Sequence, residues 1–337
     1  MNHSAYPLPA PELPISKAPE RAPLRIQRQA IALPAMLVLA LVVFSLGAPN
    51  FMSVNNLTNV ARQSVYLLIV AMGQLIVLVG GGMDLSVGSV VALTSVVSTE
   101  VMASVYAAFP GSLGLAIASG LGAGIVIAVV VGAINGIGTA WLGISSFLMP
   151  LGMSSLLFGV TLFVSGGAPI YGLPPAFSNI FGSGQFFGFP VPAVIALALV
   201  AAVYVLLEWT RFGRHIYATG GNERAAQLSG VRTRRVILLS FMLCSLMAVL
   251  SGLLLTARLG TGESTIGTSL PLESIAACVI AGVSLYGGQG RTLAVLLGTL
   301  LITLVENGLN LMQVGAYAQA MAIGAILIFA MAIARHK

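Results

Sequence analysis

The sequence predicts an all-α fold, a polytopic transmembrane bundle of about ten helical spans with both termini in the cytoplasm. Hydrophobic residues make up 58% of the 337 positions and charged residues only 7%, whereas soluble domains carry roughly 25% charged residues. The apolar residues form blocks long enough to cross about 30 Å of hydrocarbon. Most arginines and lysines lie in a few segments between these blocks, a pattern typical of the cytoplasmic side of a membrane protein.

The apolar blocks are predicted to be helices, because lipid offers no hydrogen-bond partner to an exposed backbone group. A transmembrane β-barrel would alternate apolar and polar residues over short segments, and these blocks do not. Cys244 and Cys278 both lie inside such blocks, where a thiol is expected to behave as a small apolar side chain. The net charge of +6 does not indicate nucleic-acid binding, since the basic residues are divided among separate loops.

The N-terminal segment, residues 1–29, is rich in proline and contains four lysines or arginines. We predict a disordered, basic cytoplasmic tail there, followed by a transmembrane domain over residues 30–337. The alternative is a signal peptide whose apolar region is Ile31–Ala48. That block is long for a signal peptide, and the segment before it is longer than such signals usually carry. A first membrane helix that is retained is therefore the preferred interpretation.

Further apolar blocks follow the first along the chain. We predict spans at Ser64–Met83, Leu85–Ala107, Leu113–Ile134, Ser146–Ser165, Val191–Leu207, Val236–Ala257, Glu273–Tyr286, Thr292–Val305 and Ala316–Ala334. The block at Glu273–Tyr286 is short. Together with its successor it could instead form one re-entrant hairpin that is buried in protein rather than exposed to lipid.

The distribution of basic residues predicts the orientation of the bundle. With the N-terminus inside and an even number of crossings, the loop at about 209–235 and its six arginines face the cytoplasm. The outer side then keeps only Arg62 and Arg258, each at the end of a span. Because one span fewer in the middle would abolish this asymmetry, the charges favour both termini inside.

The first segment with functional character is Gly80–Ser89, which joins two predicted spans. Adjacent glycines break a helix, and Asp84 or Ser86 can accept N–H hydrogen bonds at the start of the next helix. The features fit a plain helix–helix turn with its cap. They equally fit a broken helix that lines a solute pathway with a carboxylate and a hydroxyl. An acid in so apolar a region favours a role beyond capping.

The second such segment is the polar loop at 209–235. Within it, Gly221–Val231 predicts a short helix with a small apolar face formed by Ala225, Ala226 and Leu228, closed by a glycine. A solvated basic loop is the plain interpretation. The functional interpretation is a coupling helix that docks into a groove of a soluble partner.

These segments resemble those of a known family, the ribose-type permeases of bacterial ABC transporters. Gly81–Ser89 is similar to the family's Gly-Gly-x-Asp-Leu-Ser-Val-Gly-Ser stretch, and Gly221–Val231 to its Gly-Asn-x-x-Ala-Ala-x-x-Ser-Gly-Ile/Val segment. Gly282–Gly290 resembles Gly-x-Ser-Leu-x-Gly-Gly-x-Gly, and Glu306–Leu311 contains Asn-Gly-Leu-Asn-Leu. In order and spacing the resemblance covers roughly residues 50–334, without the proline-rich tail.

The resemblance implies a permease subunit of an ABC importer that carries a monosaccharide, such as ribose or a related sugar, across the bacterial inner membrane. Such a chain is not itself an enzyme. It would pair with a second copy, or with a related permease, to enclose one pathway in the lipid. A separate ATP-binding subunit would hydrolyse ATP, and a periplasmic sugar-binding protein would deliver the solute. No cofactor is expected in this chain, whose sequence lacks a Gly-x-x-x-x-Gly-Lys-Ser/Thr phosphate loop.

Candidate site residues follow from the resemblance and from the two segments above. The residues predicted to couple to the ATPase are Gly221, Asn222, Ala225, Ala226, Ser229 and Gly230. The residues predicted to line the translocation pathway are Asp84, Ser86, Asn307 and Asn310. No catalytic residue and no metal ligand is predicted.

Two alternative transport functions remain at this stage. An ion-coupled secondary transporter needs ionisable groups within the membrane, and Asp84, Glu100 and Glu306 are the candidates. A permease of the same superfamily for branched-chain amino acids is the other, although the Asp-Leu-Ser-Val-Gly-Ser stretch favours the sugar branch. A membrane-embedded enzyme fits less well, because the sequence contains no cluster of residues at ligand or nucleophile spacing.

Overall fold

The computed structural model describes residues 25–315, 317–319, 321–322 and 324–325, with side chains from residue 33 onward. Most of the predicted tail, the greater part of the predicted span Ala316–Ala334 and the C-terminus lie outside these residues. Residues 25–29 were predicted to be part of the tail, but they belong to the first helix.

Helices dominate the described part of the chain. They are α1 (Arg25–Gly47), α2 (Val54–Val79), α3 (Val87–Ala108), α4 (Leu113–Ala140), α5 (Leu148–Ser165), α6 (Pro175–Phe177), α7 (Val191–Trp209), α8 (Arg211–Gly221), α9 (Glu223–Leu228), α10 (Thr233–Leu259), α11 (Leu270–Ile280) and α12 (Thr292–Leu311). A π-helical turn spans Ser178–Gly182, and a minimal antiparallel hairpin pairs β1 (Gln185–Phe186) with β2 (Phe189–Pro190). The predicted all-α fold is confirmed.

Seven of the described helices are long and apolar enough to cross a bilayer, namely α2, α3, α4, α5, α7, α10 and α12. Two shorter apolar helical segments accompany them, Leu33–Gly47 within α1 and the whole of α11. The chain is therefore a multi-pass helical membrane protein. A total of about ten spans would require both shorter helices and the last predicted span to cross as well.

Several helix boundaries differ from the prediction, and the start of α2 differs most. Helix α2 begins ten residues before the predicted Ser64, because Ser53 caps it by accepting a hydrogen bond from the Asn56 N–H. Its first turns carry three asparagines, so they do not belong to the apolar block. Helix α8 was not predicted at all, since its polar residues resemble those of a loop. The predicted helix at Gly221–Val231 is the shorter α9.

Helix α2 is the centre of the bundle. Every residue from Ser64 to Val79 is buried, and α7, α10, α11 and α12 pack around the helix. A helix that is apolar on all sides is expected to be enclosed by other helices. Helices α4 and α5 lie further out and expose large apolar side chains such as Val126, Leu156 and Phe163, as expected for surfaces that contact lipid or another membrane subunit.

Close packing of α4 on α10 depends on glycine. A Cβ atom added to Gly132 would lie 2.5 Å from the Met242 Cα, and one added to Gly136 would lie 2.7 Å from the Leu238 Cα. The two backbones can therefore approach only because these positions lack a side chain, a common device in membrane helix packing.

We predict that Gly132→Val destabilises the protein, because the added side chain has no space against α10. The expected loss in the free energy of unfolding is about 1–3 kcal/mol. The matched control is Gly122→Val on the same helix, where an added Cβ meets no atom within 4 Å. Thermal unfolding of both variants in detergent tests the prediction, and equal midpoints would contradict it.

Candidate functional site

The helical conformation is interrupted between α2 and α3, at the glycines predicted to end a helix. Helix α2 ends at Val79, and α3 begins at Val87. Gly81 adopts a φ of 85°, a left-handed conformation that favours glycine. The N–H of Gly82 still donates to the Val77 carbonyl at 2.9 Å. The break therefore follows α2 directly and carries Asp84 to the start of α3.

Asp84 is held by a buried hydrogen-bond network. Its Oδ1 accepts from the Ser86 N–H at 2.9 Å and from the Ser86 hydroxyl at 2.5 Å. The Asn135 amide, near the end of α4, donates to the Ser86 Oγ at 2.9 Å. All three residues have no exposed surface. The network ties the break to α4.

Gln74 holds the backbone of Asp84 from the α2 side. In the orientation that pairs donors with acceptors, its amide nitrogen donates to the Asp84 carbonyl at 3.1 Å. Its oxygen accepts from the Asp84 N–H at 3.2 Å. Gln74 is fully buried, so it satisfies backbone groups that the helix break leaves without an intrahelical partner.

Two oxygens of this network, Asp84 Oδ2 and Asn135 Oδ1, are buried and have no hydrogen-bond partner among the described residues. A buried polar atom without a partner costs free energy, so this network carries a cost that other contacts of the fold must offset. Ser86 makes no capping bond to α3, and Asp84 bonds instead to the N–H of the residue before the helix. In this conformation Asp84 and Ser86 face the protein interior, and their place in a pathway stays a prediction.

The loop between α7 and α10 is built from two helices. Helix α8 starts at the cap Thr210, whose hydroxyl accepts from the Gly213 N–H at 3.0 Å. Helix α9 starts at the cap Asn222, whose Oδ1 accepts from the Ala225 N–H at 2.9 Å. Gly230 follows α9 with a φ of 85°. The closing glycine therefore lies where the sequence indicated, whereas the capping role of Asn222 was not predicted.

The apolar face of α9 divides in two. Ala226 is buried within the chain itself, whereas Ala225 is exposed and Leu228 is 84% exposed. Gly221, Asn222, Ser229 and Gly230 are also exposed. The surface that α9 offers to a partner is therefore centred on Leu228 and Ala225 and not on Ala226.

A side-chain network fixes α9 to the start of α10. The Gln227 amide donates to Glu223 Oε1 at 3.1 Å and to Thr233 Oγ1 at 2.9 Å, and the Thr233 hydroxyl donates to the same carboxylate oxygen at 3.0 Å. Since Thr233 is the first residue of α10, α9 is held as a fixed step between two longer helices.

Asn307 lies far from the Asp84 network. It forms a reciprocal amide pair with Asn56, with N···O distances of 2.9 and 3.0 Å. Gln74, whose side chain binds the Asp84 backbone, lies 18 residues after Asn56 on α2, about 27 Å away at 1.5 Å per residue. Asn307 is buried while Asn310 is exposed. The structure therefore does not gather the four predicted pathway residues into one site.

Two residues of the Asp84 network were missed in the sequence, Gln74 and Asn135. The signal was present, because a polar amide inside an apolar span is a functional candidate by default. What the sequence could not show is their partner, since Asn135 and Ser86 are 49 positions apart.

Comparison with known proteins gives a consistent family. Residues 56–331 match the model of the family described as branched-chain amino acid transport system / permease component. The ribose import permease protein of Escherichia coli (strain K12) is 36% identical over 306 residues, covering 90% of this chain and 92% of that protein.

Two further relatives from the same strain are similarly close. The D-allose transport system permease protein is 34% identical over 301 residues, covering 88% of this chain and 90% of that protein. The galactose/methyl galactoside import permease protein is 34% identical over 307 residues, covering 88% of this chain and 91% of that protein. No solved structure matches the chain significantly.

We predict that Asp84→Ala destabilises the protein more than Asp84→Asn does. Alanine removes the acceptor of both Ser86 donors, which costs about 1–3 kcal/mol for buried groups. Asparagine keeps one oxygen in the same place. Thermal unfolding in detergent compares the two variants with the wild type. An Ala variant as stable as the Asn variant would show that the network does not hold the break.

Proposed function

Because this chain belongs to the family of branched-chain amino acid transport system permease components, we propose that it is the membrane permease subunit of an ABC importer for a monosaccharide. The observation that carries the proposal is the 36% identity to a ribose import permease over 90% of the chain. The chain is a multi-pass protein of the bacterial inner membrane. ATP hydrolysis belongs to a separate subunit, and this chain needs no cofactor of its own.

A sugar is the better candidate cargo than a branched-chain amino acid. Three relatives that each match at least 88% of the chain are named for ribose, D-allose and galactose. The Asp-Leu-Ser-Val-Gly-Ser stretch at the helix break supports the same branch. We therefore retain the sugar and set aside the amino-acid alternative.

The proposed topology has about ten crossings with both termini inside. It counts α1 and α11 as shorter crossings and places the last one beyond the described part of the chain. Contacts at the two ends of α2 support this arrangement of crossings. The Asn56–Asn307 pair places the end of α12 beside the start of α2, and the Gly288 N–H donates to the Val79 carbonyl at the other end of α2, at 2.8 Å. The loop 281–291 and the α8–α9 loop then share the cytoplasmic side.

The assembly follows from this topology. An ATP-binding subunit binds the exposed face of α9, which carries Leu228 and Ala225; Arg224 and Arg232 nearby in the sequence are also exposed. A sugar-binding protein meets the opposite side of the membrane. Two copies of this chain, or this chain and a related permease, enclose the pathway in lipid. Rocking of the helices between inward-open and outward-open states then moves the sugar.

We predict that Leu228→Asp weakens binding of the ATP-binding subunit. An acid in place of an exposed apolar anchor removes an apolar contact and adds a desolvation cost, so the affinity should fall by roughly 30-fold, as for an interface hot spot. The matched control is Leu228→Met, which keeps an apolar side chain of similar size. Co-purification with the ATP-binding subunit measures the effect. Equal recovery of the ATP-binding subunit with both variants would show that α9 is not part of the interface.

ATP dependence separates the importer from an ion-coupled transporter. We predict that proteoliposomes containing the complete importer accumulate radiolabelled ribose, D-allose or galactose only when ATP is hydrolysed. Uptake should persist when ionophores collapse the proton and sodium gradients, since the acids in the membrane then have no coupling role. Uptake that survives ATP depletion but stops with the ionophores would favour the secondary transporter.

A further inference from the structure

Three glycine-rich segments that are distant in sequence meet at the cytoplasmic end of α2. They are Gly80–Gly82 after α2, Gly220–Gly221 at the end of α8, and Gly287–Gly288 in the loop between α11 and α12. We call this meeting point the glycine junction. One segment belongs to the loop that carries α9, another to the helix break before Asp84, and the third leads into α12.

Backbone lies directly on backbone in the glycine junction. A Cβ added to Gly220 would overlap the Val79 carbonyl and lie 2.7 Å from the Gly288 nitrogen. A Cβ added to Gly287 would lie 2.6 Å from the Gly220 oxygen and 2.8 Å from the Gly81 Cα. Cβ atoms do not tolerate such distances, so the contact requires glycine at these positions. With no side chain to change rotamer between them, the segments have little room to move independently.

Hydrogen bonds fasten the same segments. The Gly288 N–H donates to the Val79 carbonyl at 2.8 Å, and the Tyr217 hydroxyl of α8 donates to the Gly290 carbonyl at 2.8 Å. Burial, and secondarily the charge of Glu208, raise the pKa of Tyr217 to about 12, so this hydroxyl keeps its proton at neutral pH. Ile216, one residue earlier on α8, is fully buried.

The glycine junction is close to both functional segments along the chain. Gly221 immediately precedes Asn222, the cap of α9. Gly82 is followed after one residue by Asp84, the centre of the network with Ser86 and Asn135. A displacement of α9 therefore reaches α8 through the single residue Asn222, and α8 touches the break directly.

We propose that the glycine junction transmits the displacement of α9 by the ATP-binding subunit to the helix break, with Gly220 and Tyr217 as its positioning residues. The inference rests on the proposed function. In this arrangement α8, the break before Asp84 and the loop into α12 move as one body. Transport is then coupled to ATP hydrolysis, because α9 and the membrane helices are joined by backbone contacts that leave little room for independent movement.

The test compares Gly220→Ala and Tyr217→Phe with the control Gly122→Ala. The control adds the same methyl group to a membrane glycine with no atom within 4 Å of its Cβ. Tyr217→Phe keeps the ring and removes only the hydrogen bond to Gly290. Each variant is reconstituted with the ATP-binding subunit and the sugar-binding protein, and both ATP hydrolysis and uptake of the sugar that the wild type transports are measured.

The expected signature is uncoupling, with hydrolysis retained and uptake reduced. For Tyr217→Phe, sugar moved per ATP hydrolysed should fall about fivefold, the factor that corresponds to a lost hydrogen bond. For Gly220→Ala, the amount of sugar moved per ATP hydrolysed should fall further, because the added methyl group separates the segments of the glycine junction. Gly122→Ala should match the wild type. A merely structural role would lower uptake and hydrolysis together and leave their ratio unchanged.

The outcomes are distinguishable from failure of the proposed function. If the wild type shows no ATP-dependent uptake, the importer assignment fails and the inference with it. If the wild type transports and both test variants keep its ratio of sugar to ATP, the importer assignment stands and the inference is wrong. Should Gly220→Ala fail to assemble, Tyr217→Phe alone decides.

Discussion

The hydrogen bonds around Asp84 are the constraint on which the rest of this membrane domain depends. A helix that ends inside the protein leaves backbone groups that need hydrogen-bond partners there. Here Gln74 binds the backbone of Asp84, and the carboxylate binds Ser86, which Asn135 holds in turn. Every residue of α2 from Ser64 to Val79 is buried, so protein surrounds the helix along this whole stretch. The backbone groups freed at the break are therefore satisfied inside the protein.

Close approach of backbones organises the bundle around that helix. Association of helices in lipid relies on packing, because lipid tails are as apolar as the side chains. Glycines allow this close packing between α4 and α10, at Gly132 and Gly136, and again where three segments meet at the C-terminal end of α2. In the proposed importer, the same close contacts that stabilise the fold also connect the docking helix α9 to the helix break, so packing and transport share one set of residues.

Local signals made part of this structure predictable from sequence. Adjacent glycines predicted the break after α2, and the small apolar face closed by Gly230 predicted a short helix, because each signal acts on its own neighbours. Helix α8 escaped prediction, since its stability depends on burying Ile216 against other segments. The partners of Asn135 and Asn307 also escaped, because the Asn56–Asn307 pair joins residues 251 positions apart. Ala226 was expected on a docking face, but it packs inside the chain.

Vectorial labelling of Leu228→Cys tests the central claim most directly, that α9 faces the cytosol and receives the ATP-binding subunit. Both native thiols are fully buried, so background labelling by a membrane-impermeant maleimide should be low. The account predicts labelling in inside-out vesicles, none in sealed right-side-out vesicles, and protection when the ATP-binding subunit is present. Labelling from the outside, or equal labelling with and without that subunit, would contradict it.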